Sequence, residues 1–149
     1  IVLGTTQDIY NPPYDSAKIR IMPLKFLDGN GVGKTSDAIE AIYYAIANGA
    51  TILNNSWGGP SYSAALHEAI AYAYSEGVTF VAAAGNNGSN NDSSPMYPAN
   101  YNVPNVISVA ATTDSDFLAY FSNFGAGSVF GRLVIYAPLQ KRWDAVSGS

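Results

Sequence analysis

Residues 78–88, Val-Thr-Phe-Val-Ala-Ala-Ala-Gly-Asn-Asn-Gly, constrain the fold more than any other stretch. A short run that is apolar throughout, rather than alternately, reads as a strand covered on both faces, as in a parallel sheet. The run stops in three alanines and a glycine, small enough for another backbone to approach closely. Asn86 follows at once. Its amide then stands at the carboxyl end of a strand, where open α/β sheets bind ligands. The stretch predicts a pocket with one fixed donor able to stabilise an oxyanion.

The neighbouring segments supply what such a strand needs. Residues 17–27 read as a strand containing Pro23, and residues 28–34 (Asp-Gly-Asn-Gly-Val-Gly-Lys) as a glycine-rich loop. Ile39, Ile42, Tyr43 and Ile46 recur at the helix period, with Asp37 and Glu40 as a capping pair and Gly49 at the end. Residues 50–54 read as a strand, and Asn55 to Pro60 as a loop. A second helix spans 64–75, with Ser63 as N-cap, Leu66, Ile70 and Tyr74 facing inward, and Gly77 as the stop. After the strand at 78–83, residues 89–94 are a polar loop, and further strands are expected at 105–111 and 133–137. Strand and helix alternate, which predicts an α/β fold with a mostly parallel sheet.

Composition narrows the function classes. A chain of 149 residues suits one domain, 48% of it hydrophobic and 12% charged, as in a compact globule. The net charge of −4 argues against a nucleic-acid partner, which needs clustered Lys and Arg. No apolar run approaches the roughly 20 residues of a membrane helix, and residues 1–14 lack a signal-peptide pattern. The absence of cysteine removes disulfides, thiolate zinc sites and a Cys nucleophile.

Several motifs are decoys. Gly33-Lys34-Thr35 suggests a phosphate loop and a nucleotide-binding domain, but a P-loop needs glycine where Asp28 stands, and Gly29, Gly31 and Gly33 alternate instead of following G-x-G-x-x-G. Asp28, Asn30 and Val32 do not complete an EF-hand. His67, the single histidine, reads as a helix-surface residue. Asn54, Asn87 and Asn91 each begin a glycosylation match of the kind common by chance.

Taken in order, the segments resemble the central part of the subtilisin-like serine protease (subtilase) domain. The matching stretches are residues 17–19 and 22–26, the 28–33 loop, Asn54-Asn55-Ser56-Trp57-Gly58-Gly59-Pro60, Ala82-Ala83-Ala84-Gly85-Asn86, Tyr97-Pro98-Ala99, residues 105–111 and Phe121-Ser122-Asn123-Phe124-Gly125. Together they cover about residues 15–127. The resemblance implies a three-layer sandwich, partial here, and a secreted parent family. It implies that Asn86 is the oxyanion-hole asparagine. Ser56, Trp57 and Gly58 face Ala83, Ala84 and Gly85 as walls of the primary specificity pocket, and Gly31, Val32 and Gly33 pair with the backbone of an extended peptide or protein substrate. Trp57 suggests a preference for apolar or aromatic side chains. The carbonyls of Ala99 and Tyr101 fall where some relatives hold a calcium or sodium ion; no other cofactor is implied.

The family's triad runs Asp, His, Ser along the chain. This sequence holds no His-Gly-Thr-His and no Gly-Thr-Ser-Met-Ala segment; His67 does not correspond to the former, nor Ser147 to the latter. The expectation is a substrate-binding core of a serine endopeptidase, a fragment or a degenerate relative, inactive as the isolated chain. The alternative is a non-catalytic peptide-binding or scaffold module. Apolar positions such as Val106, Ile107 and Val109, if left uncovered, favour a homo-oligomer.

Overall fold

The computed structural model describes residues 20–113, 115 and 117–125, and the backbone of 133–138. Its elements in chain order are α1 (Thr35–Ala47), β1 (Ile52–Asn55), α2 (Ala64–Ser75), β2 (Thr79–Ala83), β3 (Val106–Thr112) and β4 (Leu133–Pro138). The four strands form one sheet in the order β1-β2-β3-β4, all parallel. Register runs Leu53↔Phe80 and Phe80↔Val106 across the first three strands, and Ile107↔Leu133 to the fourth. The expected α/β class with a parallel sheet is what forms.

Local chemistry explains the elements that match expectation. Ser63 Oγ accepts from Leu66 N–H at 3.3 Å and starts α2. Gly49 (φ 82°) and Gly77 (φ 72°) take the left-handed conformation that ends each helix. Packing decides the rest. Leu66, Ala69, Ile70 and Ala73 are the buried stripe of α2, whereas Tyr74, expected inside, is 52% exposed. Alanines at 69 and 73 allow close approach to β2, and a tyrosine would hold the helix away. In α1 the buried stripe is Ala38, Ile42 and Ala45; Tyr43 lies outside it and meets Tyr72 of α2, ring centroids 5.4 Å apart. The Asp37–Glu40 capping pair does not form. The helix begins earlier, with Lys34 as an N-cap that makes no side-chain bond, so Asp37 sits within the first turn and favours the positive helix end.

Two further expectations are corrected. Residues 20–27 form no strand, and residues 17–19 lie outside the described set. Pro23 has no N–H to give to a ladder, and only Phe26 and Leu27 of this stretch are half-buried. The strands are also not buried evenly on both faces. Leu53, Phe80, Ala82 and Val106 join α1 and α2 in one core, while Val81, Ala83, Ile107 and Val109 on the opposite face are half-buried. Two of the three expected layers, the sheet and one helical layer, thus lie within the described residues. Val106 is 2% exposed, so it does not contribute an open apolar face; among the described residues the most exposed aromatics are Tyr120 and Phe117.

Candidate active site

The carboxyl end of β2 is shaped by glycine and asparagine. Ala84 N–H donates to Val109 C=O at 2.8 Å, one step beyond the last residue of β2. Gly85 then turns at φ 117°, and a Cβ there would lie 2.5 Å from Asn123 Nδ2, so no other residue fits. Asn86 comes next. Its side chain is exposed and makes no hydrogen bond with the described residues.

What holds Asn86 is the loop around it. Asn123, 1% exposed, accepts at Oδ1 from Asn87 N–H (2.7 Å) and Ser89 N–H (3.2 Å), and its own N–H donates to Gly85 C=O (2.9 Å). Asn123 Nδ2 donates to Asn91 Oδ1 at 2.9 Å, and Asn91 Nδ2 donates to Ala84 C=O at 2.9 Å. Asn100 Nδ2 donates to Asn91 C=O at 2.7 Å. Three asparagine side chains thus clamp residues 84–91, satisfying buried polar groups as a folded interior requires. The Asn91 amide nitrogen, the atom a glycan would need, is taken by this clamp.

A second asparagine device ends β1. Asn55, 8% exposed, donates through Nδ2 to Leu53 C=O (3.1 Å) and Val81 C=O (3.3 Å) and accepts from Trp57 Nε1 (3.1 Å). The indole is fixed in addition by edge contact with Phe26, centroids 5.2 Å apart. Gly58 has room for no side chain, since a Cβ would lie 2.8 Å from Tyr97 C=O. Gly59 and Tyr97 exchange two backbone hydrogen bonds of 2.8 Å.

The glycine loop is built on Asp28. Its Oδ1 accepts from Asn30 N–H (2.8 Å) and Val32 N–H (2.9 Å), and Val32 C=O accepts from Asp28 N–H (2.8 Å). The Val32 and Asn30 amides hold the carboxyl below its usual range. The acidic residue that spoiled the phosphate-loop pattern is therefore the keystone of the turn. Gly31–Gly33 is irregular, not a strand. Val32 spends both backbone groups on Asp28, leaving Gly31 C=O and both groups of Gly33 without hydrogen bonds among the described residues.

Gly31, Val32, Gly33, Ser56, Trp57 and Gly58 come together around one cleft of about 590 Å³. Ala83, Ala84, Gly85 and Asn86 do not line that cleft; a Cβ added at Gly85 would lie 3.4 Å from Met96 Cγ, and one added at Gly58 would lie 3.5 Å from the same atom. Ala84 is 2% exposed and turns its side chain inward, whereas Ala83 and Gly85 are half-buried. His67 is half-buried rather than a free surface group, its ring centroid 5.5 Å from that of Tyr101. Burial raises the Tyr101 phenol above its ordinary pKa. Sequence reasoning missed Asn55, Asn91, Asn100, Asn123 and Met96. The available signal was that Asn55 and Asn123 lie inside matched stretches; the side-chain partners of Asn123 are all remote in the chain, whereas Asn55 bonds Leu53 and Trp57 beside it and only Val81 from afar.

Among the described residues no group of three or more His, Asp or Glu side chains converges as a metal site, and no helix is long and apolar enough to cross a membrane. The model of the subtilase family matches residues 13–141. A thermophilic serine proteinase of Bacillus sp. (strain AK1) is 45% identical over 106 residues, covering 71% of this chain and 25% of its own length. Minor extracellular protease Epr of Bacillus subtilis (strain 168) is 37% identical over 124 residues, covering 83% of this chain and 19% of its own length. The crystal structure of a cold adapted subtilisin-like serine proteinase superposes with a TM-score of 0.63 at 33% identity, over 76% of this chain and 39% of that one. The chain thus spans well under half the length of these relatives. The extent of the family match, together with the level of identity, establishes that this chain belongs to the subtilase family of serine proteases.

Proposed function

We propose that the chain is the substrate-binding core of a subtilisin-like serine endopeptidase, inactive as these 149 residues alone. The observation that carries this reading is Asn86, an exposed amide with no hydrogen bond among the described residues, held at the end of β2 by the buried Asn123 clamp. A donor fixed by its neighbours, with its own bonding capacity unspent, suits a charge that develops only during reaction. In peptide hydrolysis the scissile carbonyl oxygen becomes an oxyanion, and Asn86 Nδ2 donates to it. The unpaired groups of Gly31 and Gly33, two residues apart, match the alternation of an extended peptide backbone, which pairs with them as an added strand. Trp57 and Gly58 line the cleft beside it, and on this reading Ala83 and Gly85, which stand outside that cleft, supply the second wall once a peptide is bound. A cation beside Ala99 and Tyr101 would be held largely by main-chain carbonyls, a set that fits a monovalent ion better than a divalent one; no step depends on it. The extracellular character of Epr supports secretion of the parent protein.

Mixing the isolated chain with a chromogenic peptide and a serine-directed fluorophosphonate is expected to give neither turnover nor label. Calorimetric titration with extended peptides is expected to give binding. Stoichiometric labelling of a serine would refute the inactive reading, and absence of peptide binding would remove the core of the proposal. A non-catalytic peptide-binding module would bind equally; hydrolysis by a longer protein carrying this segment separates the two.

A further inference from the structure

Asparagine is followed by glycine at residues 30–31, 48–49 and 87–88. In such a pair the glycine nitrogen, once it has lost its proton, can attack the asparagine side-chain carbonyl carbon, because glycine has no Cβ to obstruct the approach. All three asparagines are exposed. The surroundings of the reacting groups differ.

Asn30 N–H donates to Asp28 Oδ1 at 2.8 Å, and its side chain bonds the same carboxylate. Gly31 N–H donates to Asp28 C=O at 3.1 Å, so an anionic Gly31 nitrogen would be repelled by the nearby carboxylate. Asn48 is the C-cap of α1, and its Nδ2 donates to Tyr44 C=O at 2.8 Å, tying the side chain back to the helix. The nitrogen of Gly49 lies at the negative end of that helix, which also opposes an anion. Asn87 carries neither restraint. Its side chain makes no hydrogen bond among the described residues, and residues 84–91 include no charged side chain. Gly88 N–H donates to Phe121 C=O at 2.8 Å. Tyr120, the neighbour of Phe121, is 95% exposed, so this segment can open locally and release the nitrogen.

We propose that Asn87 is a site of spontaneous deamidation and that its conversion unseats the Asn86 loop. Gly88 N gives its proton to water and bonds Asn87 Cγ. The Cγ–Nδ2 bond breaks, and the nitrogen leaves as ammonia after taking up a proton. Water then opens the cyclic imide at either carbonyl, leaving aspartate or isoaspartate at position 87. Either product puts a negative charge into an uncharged segment. Isoaspartate also adds a methylene to the main chain, next to the 2.7 Å bond from Asn87 N–H to Asn123 Oδ1. If Asn86 is the oxyanion donor, a carboxylate beside it opposes the charge that develops in reaction. The modification itself does not depend on that reading.

The test incubates the 149-residue chain in warm, mildly alkaline buffer, with and without urea, and follows amide-to-acid conversion by peptide mapping and mass spectrometry. In the folded chain, conversion at Asn87 is expected at least about fivefold faster than at Asn30 or Asn48, the factor that one hydrogen bond of ordinary net strength imposes. In urea the three rates are expected to converge. The converted protein, separated by ion exchange, is expected to show faster amide hydrogen exchange at Ser89 when position 87 is isoaspartate. Asn87→Asp, which adds the charge without the methylene, is expected to show a smaller effect. Conversion at Asn30 or Asn48 as fast as at Asn87 in the folded chain overturns the assignment. A ranking that persists in urea places the selectivity in local sequence and overturns the structural argument. Unchanged exchange at Ser89 in the isoaspartyl form overturns the unseating of the loop.

Discussion

Replacing Asn123 by alanine removes the centre of the clamp that holds the Asn86 loop. The side chain is 1% exposed and serves three partners: Asn87 N–H, Ser89 N–H and Asn91 Oδ1. Asn87 is exposed and Ser89 half-buried, so water replaces much of what their amides lose, leaving a net cost of about 0.5–1 kcal/mol each. Asn91 Oδ1 belongs to a buried residue (6% exposed) and is left unpaired, at about 1–2 kcal/mol. The total is about 2–4 kcal/mol, or a fall in Tm of roughly 5–15 °C for a domain of this size. Urea denaturation of both forms measures the stability change, and amide hydrogen exchange locates it. Exchange is expected to accelerate at Asn87 and Ser89 and to stay slow at Phe80 and Ala82. A loss below about 0.5 kcal/mol, or unchanged exchange at residues 87 and 89, would refute the clamp. A further check follows from the 2.5 Å approach of Asn123 Nδ2 to a Cβ at position 85. Gly85→Ala is expected to cost less in the Asn123→Ala background than alone, because the clash is relieved while the strain of φ 117° remains.

Asn86→Ala is expected to leave the stability of the isolated chain within about 0.5 kcal/mol, since the amide has no partner to lose. In a catalytically complete protein carrying this segment, the same change is expected to lower kcat about 10²–10³-fold with little effect on KM, a magnitude that belongs to another family member; an unchanged kcat would exclude Asn86 as oxyanion donor. Asp28 has its folded pKa lowered by the Val32 and Asn30 amides, so its contribution to loop order is complete above the unfolded value near 3.8 and is lost as pH falls through the folded value below that. NMR signals of Asn30 and Val32 are expected to hold from pH 7 to 5 and shift only in the acid limb, and Asp28→Asn is expected to abolish that limb; a midpoint above 3.8 would contradict the geometry. Ser63→Ala is expected to cost about 1 kcal/mol by removing the cap on α2, read by thermal unfolding, and Ser63→Asp is expected to restore most of it.

Much that is decided within a few residues could be read from the chain. Ser63 and Gly77 delimit α2 because a cap and a left-handed stop act over one turn. Gly85-Asn86 marks the end of β2 because an apolar run can cease only where the next residues tolerate the turn. The alternation of such segments specifies a parallel sheet, and their order carries the family. The failures had two sources. Pro23, within its own segment, denied a strand to a stretch whose pattern resembled one, and Tyr74 lost the interior of α2 to Ala73 because β2, from elsewhere in the chain, lies too close for a ring.

The site divides in the same way. The sequence by itself determined that Asn86 follows a strand end and that the small residues before it leave room for close approach. Only the tertiary structure decided what approaches. Asn123 and Asn91 stand 32 positions apart and meet at 2.9 Å, and Met96 Cγ comes within 3.5 Å of where a Cβ would stand on either Gly58 or Gly85, which follow two different strands. Hydrogen-bond partners and pocket volume depend on distances across the fold, and local propensity carries no information about those distances until the sheet has brought the segments together.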